Sequence, residues 1–220
     1  MEFDPNNKVV QLCSQGMEAE FAGNIGQAHV LFQKAWEMAT DDFEAFTAAH
    51  YLARHQEDPD EVLKWNMEAL HRANAIRESG IQEHFPSLYL NVAKSHEILG
   101  NIREAGEYYQ LAAESGIHLP DTKYAEMIKS GISEGLKRTG TKSPVNEAIA
   151  TLIDGWCAQK NLKALAIILP AWVGDLGSSS DQHKLISALS YLSASRSLRV
   201  AEQEQVESLI IQLAGKQSMN

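Results

Sequence analysis

Gly23-Asn24-Ile25-Gly26-Gln27-Ala28-His29-Val30-Leu31-Phe32-Gln33-Lys34-Ala35 and Gly100-Asn101-Ile102-Arg103-Glu104-Ala105-Gly106-Glu107-Tyr108-Tyr109-Gln110-Leu111-Ala112 are two versions of one pattern. Both open on Gly-Asn-Ile, then place an alanine, an aromatic and a second alanine at the same offsets. Glycine and asparagine tolerate a left-handed backbone, which suits a tight turn between helices. The two alanines and the aromatic recur at helical spacing, so they share one face: small, large, small. Such a face lets another helix approach closely at the alanines and fills the gap beside it with a ring.

Between these stretches lies a weaker version, with Asp58-Pro59 at the turn, then Val62, Asn66 and Ala69. Ala28 to Val62 and Ala35 to Ala69 are each 34 residues, whereas Val62 to Ala105 is 43, so about nine residues are inserted before the third unit. A fixed period of this size is the mark of a stacked repeat. The pattern predicts helices near 7–22, 25–39, 42–56, 59–78, 86–99 and 101–115, in antiparallel pairs. The insertion, Arg77 to Phe85, reads as a loop containing Ser79-Gly80, and Pro86 suits a first helical turn.

On these residues, over about 7–115, the chain resembles the tetratricopeptide repeats, whose signature includes A-x3-F at a period of 34. Gly16 stands where that family places a small residue in the first helix. The middle unit departs from the pattern at Val62, at Asn66 and at its turn. The resemblance implies an all-α fold, a right-handed superhelical solenoid of antiparallel helix pairs, with a C-terminal helical extension or small helical domain.

A seventh helix is expected near 121–138, capped by Asp121 and presenting Tyr124, Met127, Ile128, Ile132 and Leu136 to close the stack. The run Thr139-Gly140-Thr141-Lys142-Ser143-Pro144 is rich in helix breakers. Charge changes there as well. Residues 1–140 carry 22 Asp/Glu against 12 Lys/Arg, and residues 141–220 carry seven of each, so the first part accounts for the whole net charge of −10. We therefore expect a repeat region over 1–140 and a C-terminal helical region over 141–220. The latter reads as helices near 145–159, 162–173, 181–195 and 202–215, the third capped by Asp181, with stripes at Leu185/Leu189/Leu192 and Val206/Leu209/Ile210/Leu213. No family resemblance attaches to it.

Chemistry-bearing motifs are scarce. There is no G-x-G-x-x-G, no Walker-type loop and no G-x-S-x-G elbow. The strand-helix alternation that a methyltransferase needs is missing. The eight histidines do not fall at metal-ligand spacings. Asp41-Asp42, Asp58 with Asp60-Glu61, and Glu202 with Glu204 fall at helix starts, where the helix dipole favours negative charge. No catalytic residue, metal or cofactor is expected, and an enzyme with its site between the two regions is the least favoured reading. An acidic surface repels phosphate, which disfavours nucleic acid. No apolar run is long enough to span a membrane. The acidic Met1-Glu2-Phe3-Asp4-Pro5 lacks signal-peptide character. Cys13 and Cys157, far apart and each in an apolar pattern, are expected to be buried thiols in a reducing, cytoplasmic setting.

The resemblance implies a partner protein or peptide bound along the first helix of each pair. Its groove positions map to Val10, Cys13, Ser14, Met17, Glu20 and Phe21; then Glu44, Thr47, Ala48, Tyr51, Arg54 and His55; then Ser87, Leu90, Asn91, Lys94, Glu97 and Ile98. The lysine-asparagine clamp that holds heat-shock-protein tails is replaced by Cys13, Met17, Ser87 and Asn91. Asn91 resembles the asparagine that kinesin-light-chain-like repeats aim at a peptide backbone; an interhelical hydrogen bond is the alternative. Thr47, Tyr51, Arg54, His55, Ser87, Asn91 and Lys94 are the expected contact residues, forming a polar, partly basic groove. The same faces could instead serve a homo-oligomer.

Overall fold

The computed structural model describes residues 4–77, 80–140 and 143–217. Ser79 of the expected loop, Thr141 and Lys142 of the breaker run and the acidic Met1-Glu2-Phe3 lie outside them. Among the described residues the fold is all-helical, with α1 (Lys8–Phe21), α2 (Ile25–Met38), α3 (Asp42–Ala53), α4 (Pro59–Ala75), α5 (Phe85–Ile98), α6 (Ile102–Ser115), α7 (Lys123–Thr139), α8 (Pro144–Ala158), α9 (Leu162–Val173), α10 (Ser179–Ala194) and α11 (Val200–Gln217). Short 3-10 turns occupy Ile81–His84 and Gly116–His118. No helix of the described residues is long and apolar enough to cross a membrane.

The chain divides into two compact units, Met1–Asp121 and Thr122–Asn220. The seventh helix, expected to close the first stack, therefore belongs to the second unit. In that unit α7 packs on α9, and the Lys137 ammonium donates to the Trp172 carbonyl oxygen at 2.7 Å.

In the first unit each helix packs chiefly on its neighbours in sequence: α1 on α2, α3 on α4, α5 on α6, with α2–α3 and α4–α5 joining the pairs. Ala28, Phe32, Ala35, Ala105, Tyr109 and Ala112 are fully buried, as their shared pattern requires. Gly16 leaves room for the Phe32 ring, whose Cε1 a β-carbon there would overlap. The other face of Phe32 is covered by α3, stacking on Tyr51 with ring centroids 4.9 Å apart. In the middle pair, Asn66 replaces the aromatic and is still buried, its amide donating to Ser95 Oγ at 3.0 Å. That hydroxyl donates in turn to the Asn91 carbonyl oxygen. A buried amide so satisfied keeps the contact without the ring.

The second half of the insertion, from Ile81 to Phe85, is folded into the core. Ile81, buried, packs with Phe46, Leu70 and Leu88, and the His84 ring stands edge-on to Phe46. Pro86 sits in the first turn of α5 as expected. Asp41 and Asp58 cap α3 and α4, accepting from Glu44 N and Asp60 N.

In the second unit α8 to α11 share one continuous core. Val145, Ile149, Leu152 and Trp156 of α8 meet Ala164 and Ile168 of α9, the leucine stripe of α10, and Val206, Leu209 and Leu213 of α11. Three local expectations are corrected. Thr122, not Asp121, caps α7, because its hydroxyl reaches Ala125 N. Ser178 caps α10, with Asp181 reciprocating from the first turn: Ser178 Oγ accepts from Asp181 N and donates to its carboxylate. On α7 the buried face is Ala125, Ile128, Ile132, Ser133 and Gly135, while Tyr124 and Met127 are exposed. Ile128 and Ile132 thus face inward as expected, and small residues take the buried places expected for Tyr124 and Met127. Cys13 is buried as expected; Cys157 is exposed and free.

Candidate partner-binding face

The expected contact residues sort into three groups. Thr47 and Ser87 are buried and engaged within the scaffold, donating to the Phe43 and His84 carbonyl oxygens. Each hydroxyl has spent its only donor on the backbone, and burial keeps its lone pairs from a partner.

Tyr51, Arg54 and His55 lie at the end of α3, where Arg54 and His55 approach Glu20 of α1. Arg54 donates to Glu20 Oε1 at 2.6 Å, and its guanidinium lies 5.9 Å from the Tyr51 ring centroid. His55 Nε2 is 3.8 Å from the same carboxylate, yet its side chain is only 3% exposed. Burial holds the His55 pKa below its ordinary value; Glu20 opposes that and Arg54 and His29 reinforce it. The imidazole is therefore neutral at pH 7 and the guanidinium is already paired. The expected basic character of this stretch is thus cancelled by Glu20, itself one of the expected groove residues, through its ion pair with Arg54. The two residues are 34 apart, the spacing of the sequence pattern.

Asn91 and Lys94, one turn apart on α5, form the third group. Lys94 is exposed, and Asn91 is half-buried. Its carbonyl oxygen accepts from Ser95, but its side-chain amide makes no hydrogen bond to any described residue. The interhelical bond that would have explained Asn91 structurally is not formed by this side chain. Asn66 makes it instead, to Ser95.

The remaining α1 positions present Met17 and Phe21 to solvent, Phe21 being 96% exposed. Glu44 is consumed internally: burial raises its pKa, but hydrogen bonds from Thr40 and Asn7 outweigh this and hold it below the ordinary range. No His/Cys/Asp/Glu cluster suited to a metal occurs among the described residues.

Among the described residues, cavities are also found elsewhere. One, about 570 Å³ and open, is in the first unit beside Trp36, Asp42 and Arg72, where Arg72 bridges Asp42 and Glu68. Another, about 410 Å³, is in the second unit around Lys137 and Trp172. Neither was foreseen. Their residues read in sequence as caps, core aromatics and ordinary helix-end cations.

No protein-family model matches this chain, and no curated protein matches it significantly in sequence.

Proposed function

We propose that the first unit is a tetratricopeptide-like, non-catalytic scaffold that binds an extended protein segment along α1, α3 and α5, in the cytoplasm. The observation that carries this reading is the Asn91 side chain. It is a half-buried amide that makes no bond within the scaffold, one turn from the exposed Lys94. An amide both donates and accepts, so it can pair with the backbone of an extended peptide whatever its sequence. Lys94 adds a cation suited to an acidic or amide-bearing neighbour on that peptide. Met17 and Phe21 offer apolar contact on α1. The right-handed superhelical stacking belongs to this proposal, as does the reducing compartment, with which an exposed free Cys157 agrees.

The experiment is capture from host extract on the immobilised chain, identification of the bound protein by mass spectrometry, and binding of its purified segment. Asn91→Ala with Lys94→Glu is expected to weaken that binding by about tenfold or more, since a buried polar contact is lost and a charge reversed. Arg54→Glu should act more weakly, because Arg54 is already paired to Glu20. Unchanged affinity in the Asn91/Lys94 double variant would place the partner on another face.

A further inference from the structure

The cavity of about 410 Å³ in the second unit lies between α7, α8 and the segment after α9. Its volume is that of a small-ligand pocket. Three features of its wall favour an anionic group. Ser133 is 1% exposed, lines the cavity, and its hydroxyl has no hydrogen-bond partner among the described residues. Buried hydroxyls are rarely left so. Lys137, one turn further along the same face of α7, places its ammonium 3.7 Å from the Trp172 ring centroid and donates to the Trp172 carbonyl oxygen. An ammonium has three donors, so these two contacts leave one unspent. The start of α8 also reaches the cavity. Its N-cap residue, Ser143, makes no side-chain capping bond, and the amides of Val145 and Asn146 have no acceptor within the helix.

The same wall carries carboxylates. Asp175 accepts from Gly177 N at 2.8 Å, and Glu147 stands in the first turn of α8. A bare anion would meet these two groups, and a bare cation would meet Lys137. A molecule bearing both charges satisfies both. Leu136, Ala150 and Trp172 supply the apolar remainder of the lining. We propose that this cavity binds a free α-amino acid, its carboxylate held by Lys137, Ser133 and the α8 N-terminus and its ammonium by Asp175 and Glu147. Burial lowers the Lys137 ammonium to about 8, with Asp175 and Glu134 opposing it, so the group remains mostly charged at pH 7. This site lies within the second unit and is independent of the peptide-binding reading of the first.

The test uses the full chain and isothermal titration with leucine and phenylalanine. Beside each go its N-acetyl derivative, which lacks the ammonium, and its amide, which lacks the carboxylate. At least one free amino acid should bind saturably at one equivalent, and both blocked forms should bind about tenfold weaker or worse, because a site built for a polar group rejects its absence. Lys137→Met should abolish binding. If that variant does not fold, Ser133→Ala and Glu147→Gln, each expected to weaken binding several-fold, take its place. Absence of saturation by either amino acid at about 10 mM overturns the proposal, since a Kd above ~1 mM is under about 4 kcal/mol of binding. Equal binding of the blocked forms overturns it too, as does unchanged binding by folded variants.

Discussion

The first unit and the second differ in how their cores are divided. In the first, two hydrophobic clusters lie one after the other. Ala48 and Leu52 of α3 belong to the cluster with α1 and α2, whereas Phe46 and Ala49 of the same helix belong to the cluster with α4 and α5. One helix thus serves two layers, and eight of its twelve residues are buried. In the second unit all four helices from α8 to α11 share one cluster around Trp156. Layers that touch only their neighbours should fail separately, whereas a single core should fail at once.

Against that difference stands a local identity. The α1–α2, α5–α6 and α8–α9 turns share one hydrogen-bond register: Asn24 N to Ala19 O, Asn101 N to His96 O and Asn161 N to Trp156 O, each preceded by a residue of positive φ. This is the Schellman closure of a helix. Glycine provides the positive φ at 23 and 100, and Lys160 provides it at 160, with φ 55°. Beyond the turn, Ala164, Ile168 and Ala171 are buried at the same spacing as Ala28, Phe32 and Ala35. The same hairpin thus enters a layered unit and a closed one, and what differs is the surface available on its far side.

The strongest way to break this comparison is to remove a large core residue from each unit. Phe32→Ala and Trp156→Ala should each cost about 3–5 kcal/mol. Native-state hydrogen exchange should show protection lost from α1 to α3 but retained in α5 and α6 for the first, and lost from α8 to α11 together for the second. Loss spreading evenly over the whole first unit would contradict the layered description.

Acid should separate the units next. His50 is buried with Arg54 and His84 nearby, and burial first, then those charges, lowers its pKa to about 4; His55 and His84 are lowered as well. A histidine whose folded pKa lies below its unfolded value lets the unfolded chain bind the extra proton. Stability is therefore full above pH ~6.5 and falls as pH drops toward about 4, by up to about 3 kcal/mol for His50 alone. Circular dichroism melts of His50→Asn should show a weaker loss over that window than the wild-type chain.

The turn provides a smaller, sharper contrast. Lys160→Gly should stabilise the second unit by about 1 kcal/mol by relieving a left-handed lysine, and Gly100→Ala should destabilise the first by a similar amount. No atom lies within 4 Å of a β-carbon built at Gly100, so the effect there comes from backbone conformation and not from a clash. Chemical denaturation of each variant measures both. Smallest of all, Asn91→Ala should leave stability within about 0.5 kcal/mol, since the amide supports nothing in the scaffold. A larger loss would assign Asn91 to the fold.

Much of the fold was legible because helical periodicity and breaker residues act locally. Every expected helix exists, and the A-x3-F pattern marked its buried face correctly. The candidate face was less legible. Tyr51 and Arg54 do meet, but the partner of Arg54, Glu20, is on another helix, and the neutrality of His55 comes from burial. On α7, Ile128 and Ile132 are buried as their spacing suggests, but Tyr124 and Met127 are exposed and Ala125, Ser133 and Gly135 are buried, because hydrophobicity alone does not say how much room the neighbouring helices leave. Nothing local in Ser133 or Lys137 announces a cavity.

The sequence by itself determined the all-helical character, the positions of the helices and the Gly-Asn turns, since each follows from residues within a turn or two of one another, and the uneven charge, which is a matter of composition. Only the tertiary structure decided that α7 belongs with α8 to α11, that Arg54 is neutralised by Glu20, that Cys157 is exposed, and that Ser133 and Lys137 border a cavity. Those outcomes depend on which distant side chains share a space, and on the dielectric that burial creates there.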